Sequence, residues 1–409
     1  MISRSPYASL ATEEGKALLA ALAGFDEEHV AAAAQRARSL APPDVATAAL
    51  ATSFARRRAR VSKKFDRPDE MFFTHAGYEQ ASSSAVALHR SSRFSGLTDV
   101  CDLCCGIGAD AIALAVAGAR VVAVDLDPDA LACAADNARA FGVGDRIRFE
   151  LADAEVAPLV GVAAAFADPS RRQGHVRTRD GDAYQPALRS LLNRAREIPD
   201  GRLCVKVAPG LDVTAPELRA ALGGAWMEAE FVSERGVCKE AALWCGAFAR
   251  SDGACRATVI NRDGAHVLDG DRDIEVQAGP VSAYLGEPDS AVIRAGLIGV
   301  VCRAHNATTL DPRVAYISSA AAAPGPFVRW HRVRDAMPFG VKRLRSYLRA
   351  RSIGELIVKT RAFPIRPDEL RTLVHPRGDE SAVVFCTTIG EKKTVIVCDP
   401  PERGRAGRP

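Results

Sequence analysis

Residues 102–127 constrain the fold of this chain more than any other segment. They contain Asp102-Leu-Cys-Cys-Gly-Ile-Gly-Ala-Asp110, where an apolar strand gives way to a Gly-x-Gly turn and a helix. Val121-Val-Ala-Val-Asp-Leu-Asp127 follows, a second apolar strand that ends on a carboxylate. A glycine turn lets a ligand approach bare backbone, and an acid about twenty residues later receives ribose hydroxyls. The segment therefore predicts half of a nucleotide-binding α/β unit.

The glycine spacing alone leaves the nucleotide open. Gly106-x-Gly108-x-x-Ala111 also fits the dinucleotide pattern, which tolerates alanine at its third position, so an NAD(P)-dependent oxidoreductase is one alternative. Two details favour another ligand. Asp102, four residues before the first glycine, would repel a pyrophosphate but suits the ammonium group of a methionine-type ligand. The turn is also longer than the tight turn of a dinucleotide site.

Strands and helices alternate through the next hundred residues or so. The patterns predict a helix over 129–141, strands over 146–151 and 162–167, a helix over 183–197, a strand over 202–207, and an antiparallel pair over 226–232 and 241–248. Such alternation is typical of a parallel, doubly wound sheet, in which ligands bind at the carboxyl ends of the strands. The expected fold class is therefore α/β, with a Rossmann-like sheet.

The run Asp-Leu-Cys-Cys-Gly-Ile-Gly resembles motif I of class I S-adenosylmethionine (SAM) methyltransferases. These enzymes also add a closing antiparallel pair to a doubly wound sheet, so the resemblance implies SAM as the cofactor. The residues it implies around SAM are Asp102, Cys104, Gly106, Gly108, Asp125, Leu126, Asp153 and Ala154, with Tyr78 and Gln80 upstream as cover for the methionine end. The alternative for Asp153 is a turn or capping acid, and the alternative for the glycine turn is one that binds no ligand.

The predicted strand 162–167 runs into Asp168-Pro169-Ser170-Arg171. This sequence resembles the [Asp/Asn]-Pro-Pro-aromatic motif of enzymes that methylate exocyclic amino groups. The resemblance implies that the acid accepts hydrogens from the target nitrogen, so that positioning supplies most of the catalysis. Ser170 and Arg171 depart from the motif. Arg171 can stack on a base or bind a phosphate, and the alternative for Arg171 and Arg172 is a salt bridge to a neighbouring loop.

Further basic side chains are candidates for phosphate contacts. Arg172, Lys206 and Lys239 lie at or near strand ends. The alternative for Lys239 is a local pair with Glu240, and Lys206 leaves the same choice open between a phosphate contact and a structural role. Residues 53–93 carry nine Lys/Arg against four Asp/Glu within a region that predicts helices over 12–25, 28–40 and 45–60. Such a basic run is either a solvated helix face or a nucleic-acid contact.

The C-terminal part differs in composition and charge. After a hairpin over 257–268 and a helix over 291–304, residues from 327 onward predict a small α+β domain. Residues 326–409 contain eighteen Lys/Arg and nine Asp/Glu, a net charge of +9, which leaves −5 for the rest of a chain whose total is +4. This asymmetry favours a polyanionic partner, with Lys342, Arg343 and Arg345 as candidate contacts. The alternative is a basic surface without a partner.

The order of these motifs, together with Cys238-Lys-Glu240 and Tyr284-Leu-Gly-Glu-Pro-Asp289, resembles a family of bacterial class I SAM methyltransferases that carry a C-terminal THUMP-like domain. Their catalytic part is similar to the RNA cap guanine-N2 (trimethylguanosine synthase-like) methyltransferases. The resemblance implies methylation of a base amino nitrogen in RNA, either tRNA or rRNA. An RNA-binding protein without activity is the alternative.

The domains expected from the sequence are an N-terminal helical region (1–95), the methyltransferase domain (96–250), a connecting small α/β, ferredoxin-like region (251–326), a basic THUMP-like domain (327–400) and a disordered tail (401–409). Neither a signal peptide nor an apolar run of membrane-spanning length is visible, so a cytoplasmic protein is expected. Cys101-x-x-Cys104-Cys105 lacks a second Cys or His pair at ligand spacing, so we expect no metal.

Overall fold

The computed structural model describes residues 5–173, 176–177 and 180–400 of the chain. The described residues before 230, together with 240–253, form one compact unit, and residues 230–239 with those from 254 onward form a second. The chain passes between the units within a hairpin of two strands, β8 (Met227–Glu234) and β9 (Val237–Cys245). The tail predicted over 401–409 lies outside the described residues.

Helices open the first unit, as the sequence predicts. They are α1 (Glu13–Leu22), α2 (Val30–Leu40), α3 (Pro43–Ser62), α4 (His75–Gln80) and α5 (Ser84–Ser91). The Thr12 side chain caps α1 by accepting from Gly15 N, and Pro43 provides the preset first turn of α3. The apolar faces of α1 to α4 share one buried cluster that includes Leu22, Phe73 and, from the turn after β1, Ile107.

A parallel sheet forms the centre of the first unit. Its strands and helices are β1 (Asp99–Leu103), α6 (Ala109–Val116), β2 (Arg120–Asp125), α7 (Pro128–Ala140), β3 (Ile147–Leu151), β4 (Ala164–Ala167), β5 (Arg172–Gln173), β6 (Val176–Arg177), α8 (Leu188–Asn193), β7 (Leu203–Val207) and α9 (Pro216–Ala221). Parallel pairing gives the order β7-β4-β1-β2-β3, and β9 pairs with β7 in the antiparallel sense. The expected doubly wound sheet with an antiparallel closing strand is confirmed, and the carboxyl ends of β1 to β4 share one edge.

The second unit is α+β. Its strands and helices are β10 (Cys255–Asn261), β11 (Gly264–Gly270), β12 (Tyr284–Pro288), α10 (Ser290–Ala295), α11 (Ile298–Ala304), β13 (Thr308–Asp311), β14 (Val314–Ser319), β15 (Val328–Pro338), α12 (Val341–Ala350), β16 (Ile353–Arg361), α13 (Pro367–Val374), β17 (Glu380–Ile389) and β18 (Lys392–Cys398). Seven strands form a sheet in the order β13-β14-β12-β15-β18-β17-β16. Leu344, Leu348 and Leu370 of α12 and α13 pack into its core.

Two predicted helices were too long. The helix expected over 291–304 is split into α10 and α11, because Gly296 adopts a left-handed conformation (φ 74°) that ends α10. The helix expected over 183–197 is reduced to α8 and a following 3₁₀ turn, because it begins only after Pro186. Among the helices that the structure describes, none combines the length and apolar character needed to cross a membrane.

Candidate active site

The carboxyl ends of β1 to β4 open into a cavity of about 660 Å³ in the first unit. It collects most of the residues predicted around the cofactor and acceptor. Those that line it are Gln80, Asp102, Cys104, Gly106, Asp125, Leu126, Asp153, Ala154, Asp168, Pro169, Ser170 and Arg171. Gly108 is not among the lining residues. It precedes α6 at φ 84°, and a Cβ there would lie 3.0 Å from the Cβ of Ala134, so this glycine serves the packing of α6 on α7.

Asp102 is the most unusual side chain in the cavity. It is 0% exposed, and within the described part of the chain neither of its carboxylate oxygens has a hydrogen-bond partner. Burial, and then the neighbouring Asp110 and Asp168, raise the pKa of Asp102 well above its usual value. A buried polar group without a partner destabilises a protein, so this carboxylate suits a donor brought by a ligand. The ammonium group at the methionine end of SAM is such a donor.

The glycine turn and the acid after β2 hold each other in place. Gly106 N donates to Asp125 Oδ2 at 2.7 Å, and Asp127 N donates to Asp125 Oδ1 at 2.9 Å. Cys104 and Gly106 both have positive φ angles (67° and 54°), which bend the backbone between β1 and α6. Burial raises the pKa of Asp125, and these backbone hydrogen bonds oppose the rise. The carboxylate is therefore fixed at the edge of the cavity, as a ribose-binding acid requires.

Three acids follow three neighbouring strands. Asp102 belongs to β1, Asp125 ends β2, and Asp153 follows β3. Adjacent strands lie about 4.8 Å apart, so the row extends over roughly 10 Å, which fits an extended ligand with an ammonium, a ribose and a base in sequence. Asp153 Oδ1 also accepts from Glu155 N at 2.9 Å, so this acid shapes its own turn as well.

At the other end of the cavity, Asp168 lies directly after β4. The parallel register pairs Ala167 of β4 with Val205 of β7, so the next residues, Asp168 and Lys206, are neighbours. Lys206 Nζ lies 2.5 Å from Asp168 Oδ2, and the Lys206 side chain is 4% exposed. Lys206 was predicted as a phosphate contact, and that prediction is wrong for a geometric reason: its ammonium group is buried and bonded to Asp168.

A buried ionic network that the sequence analysis missed extends this pair. Arg90 of α5 is bonded to Asp110 of α6 and to Glu240 of β9, and it donates to Ser82 Oγ at 3.3 Å. Lys206 Nζ donates to the same Ser82 oxygen at 3.2 Å. Burial opposes the charged form of Arg90, yet Asp110 and Glu240 raise its pKa above the usual value. Glu240, considered above as a partner for Lys239, is thus a partner of Arg90.

Other predicted residues lie away from the cavity. Tyr78 is buried, and its ring packs against Phe65 and Phe73, whereas Gln80 lines the cavity. The basic run of α3 is paired within its own unit, which favours the structural alternative over a nucleic-acid contact. Its ion pairs are Arg57 with Asp26, Arg58 with Glu27 and Glu79, and Arg60 with Asp69.

The remaining candidates for phosphate contacts differ in exposure. Lys239, Lys342 and Arg343 of the second unit are exposed. Arg345 is half-buried and donates to the Leu373 carbonyl at 2.6 Å. The side chain of Arg172 lies outside what the structure describes. Among the described residues, no group of His, Cys, Asp or Glu could hold a metal ion.

Comparison with known proteins adds three findings. Family models match for an RNA cap guanine-N2 methyltransferase at residues 97–178, for a THUMP domain-like region at 328–400 and for a domain of unknown function at 5–59. Two curated Mycobacterium tuberculosis proteins, from strains CDC 1551 and H37Rv, are each named an uncharacterized S-adenosylmethionine-dependent methyltransferase. Each is 34% identical over 337 residues, which covers 81% of this chain and 89% of the relative. A crystal structure from Porphyromonas gingivalis W83, titled as a candidate methyltransferase, has a TM-score of 0.72 at 19% identity. The match covers 92% of this chain and 100% of the Porphyromonas chain, so the two proteins share the fold.

Proposed function

This chain belongs to a family of S-adenosylmethionine-dependent methyltransferases, and from that premise we propose that it methylates an amino nitrogen of an RNA base, in tRNA or rRNA. The cofactor is SAM, which supplies a methyl group activated on a sulfonium. The NAD(P)-dependent oxidoreductase considered from the glycine spacing is set aside by this family membership.

In the proposed cofactor site, each acid of the row has one task. Asp102 binds the ammonium group, Asp125 accepts from the ribose hydroxyls, and Asp153 accepts from the adenine amino group. The Cys104–Ile107 part of the turn brings backbone close to the ligand. The unpartnered oxygens of Asp102 support this assignment, because a bound ammonium group would satisfy them.

The observation that carries the choice of acceptor is that Asp168, bonded to Lys206, lines the same cavity as Asp102. Asp168 would accept a hydrogen bond from the target nitrogen, orient its lone pair toward the methyl group and take up the proton that the nitrogen gives up. Lys206 holds the Asp168 carboxylate in one orientation. A hydrogen-bond acceptor that is already in position raises the rate of methyl transfer, because it holds the target nitrogen in the reactive geometry. Arg171 would stack on the base or bind its phosphate.

RNA as the partner is supported by the second unit. Its sequence carries the positive charge of the chain, residues 328–400 match a THUMP domain-like model, and Lys342 and Arg343 of α12 are exposed. Exposed basic side chains on one helix bind phosphates with a strong dependence on salt. An RNA-binding protein without activity would need the same basic surface on α12, but it would have no use for the Asp168–Lys206 pair in the cavity.

The test is transfer of tritiated methyl groups from SAM to unmodified bacterial tRNA and rRNA, with Asp168→Ala as the variant, since asparagine would still offer an acceptor oxygen. We expect kcat to fall by about a hundredfold or more, with S-adenosylhomocysteine binding retained. Asp182→Ala is the matched control, since Asp182 is an exposed acid between β4 and α8 that pairs with Arg189 at 3.4 Å. Full turnover by Asp168→Ala would exclude the role of Asp168. A wild-type protein that binds S-adenosylhomocysteine but methylates neither RNA would exclude the proposed acceptor.

A further inference from the structure

We propose that Arg194 is a positioning residue that fixes residues 152–157 as the surface on which the adenine of SAM binds. Arg194 follows α8 and does not line the cavity, and nothing in the sequence around it suggests a link to the cofactor. The proposal rests on the cofactor site described above, in which Asp153 accepts from the adenine and Ala154, the next residue, lines the same cavity.

The loop after β3 has few bonds of its own. Glu155 N donates to Asp153 Oδ1 at 2.9 Å, and Ala157 N donates to the Asp153 carbonyl at 2.8 Å. These contacts close a turn, and Ala152 N donates to the Asp125 carbonyl at 3.2 Å, which joins only the first residue of the loop to the sheet. Ala152 to Glu155 line the cavity, so the position of this turn decides where the adenine can bind.

Arg194 connects that turn to α8. Its Nη1 donates to the Ala154 carbonyl and its Nη2 to the Ala157 carbonyl, each at 2.5 Å. On its other side, Nε and Nη2 donate to the two carboxylate oxygens of Glu197 at 2.8 Å. The Arg194 side chain is 5% exposed, whereas that of Glu197 is 51% exposed. The guanidinium group therefore donates to the loop carbonyls from its buried side and pairs with the Glu197 carboxylate at the surface.

Only a planar guanidinium group can make these contacts together. A lysine ammonium group is a point charge without a fork, so it could replace one carbonyl contact but not the whole set. A loop held in its binding conformation before the ligand arrives loses less entropy on binding. Arg194 thus acts on affinity for the adenosine part of the cofactor and has no contact with the amino-acid part.

Two ligands separate these parts: S-adenosylhomocysteine, and 5′-methylthioadenosine, which keeps the adenosine and the sulfur but lacks the amino acid. Titration calorimetry should show that Arg194→Met weakens both by a similar factor, about tenfold to a hundredfold. Arg194→Lys should recover part of the loss for both ligands. Glu197→Gln is the matched control, because it leaves the two loop carbonyls bonded, and it should bind both ligands within a few-fold of wild type.

Asp102→Asn provides the opposite pattern, a large loss for S-adenosylhomocysteine and none for methylthioadenosine. The proposal is wrong if Arg194→Met binds methylthioadenosine as tightly as wild type, or if only S-adenosylhomocysteine is weakened. If Arg194→Met does not fold, Arg194→Lys decides, since wild-type affinity for both ligands in that variant also overturns the proposal. If Asp102→Asn loses methylthioadenosine as well, the orientation of the cofactor is wrong, which is a failure of the proposed site.

Discussion

Replacing Asp102 by asparagine should make the unliganded protein more stable and its cofactor binding weaker. The Asp102 carboxylate is completely buried and has no hydrogen-bond partner among the described residues, so its charge costs free energy until a ligand cation arrives. Asparagine has nearly the same shape and no charge. A residue kept for packing would lose stability on substitution, whereas one kept for a cationic ligand should gain it.

The size of both effects follows from burial. Burial first, and then Asp110 and Asp168, raise the pKa of Asp102 in the folded protein. The folded state therefore favours the protonated carboxyl, and this contribution to stability is complete below the unfolded pKa and is lost as the pH rises through the folded pKa, where the buried group ionises. The asparagine amide stays buried without partners, so removing the charge should return only part of the cost of burying it, about 1 kcal/mol in the free energy of unfolding at neutral pH, or roughly 2–4 °C in Tm for a unit of this size. Loss of the charged contact to the ammonium group should cost about 2–4 kcal/mol of binding, roughly 30- to 1000-fold in Kd.

Thermal unfolding and calorimetric titration with S-adenosylhomocysteine measure the two quantities on the same sample. The control is Asp99→Asn, at the first position of the same strand, where the acid is partly exposed and bonded to Arg120. That variant should bind the ligand like wild type. An Asp102→Asn protein that binds S-adenosylhomocysteine with wild-type affinity would refute the reasoning, whatever its Tm.

Two further outcomes follow from the same buried charges. Affinity for S-adenosylhomocysteine should rise with pH above the usual titration range of a carboxyl, because burial raises the pKa of Asp102 in the free protein and the ammonium group selects its ionised form. Asp102 then releases a proton on binding, which calorimetry in buffers of different ionisation enthalpy detects. Arg90→Met should leave the buried carboxylates of Asp110 and Glu240 without their cation, and should lower the free energy of unfolding of the first unit by about 3–5 kcal/mol. Urea unfolding measures this loss, and an unchanged midpoint would show that the network adds no net stability.

The fold class was predictable because its signals are local. Gly106 and Gly108 mark a turn between a strand and a helix, and Asp125 ends the next apolar strand, so a short window of sequence contains the strand–helix–strand pattern that defines this fold class. The α+β character of the second unit follows from local periodicity in the same way. Helix lengths were less predictable, since Gly296 ends α10 through its backbone conformation, and the apolar pattern on either side of it continues without a break.

Most residues that line the cavity were predictable from the sequence, and the ionic network behind them was not. Asp102 and Asp153 are marked by their positions at strand ends, which the sequence reveals. Arg90 is 150 residues away from Glu240, and the two meet only because the fold brings α5, which packs against α6, beside β9. A charged residue on a short helix next to other polar residues reads as solvent-exposed, and only the three-dimensional packing shows that its partners are buried.

Lys206 shows which piece of information was missing. Its position at the end of an apolar strand is visible in the sequence, and so is that of Asp168, but they are 38 residues apart. Once the sheet order places β7 beside β4 in parallel register, the residue after Ala167 must lie beside the residue after Val205. An acid and a lysine at those two positions then form an ion pair at the carboxyl edge, where the ligands of such sheets bind. The pattern of a single strand does not say which strand lies beside it. That identity is therefore the information needed to recognise Lys206 as a partner of the proposed catalytic carboxylate and not as a phosphate contact.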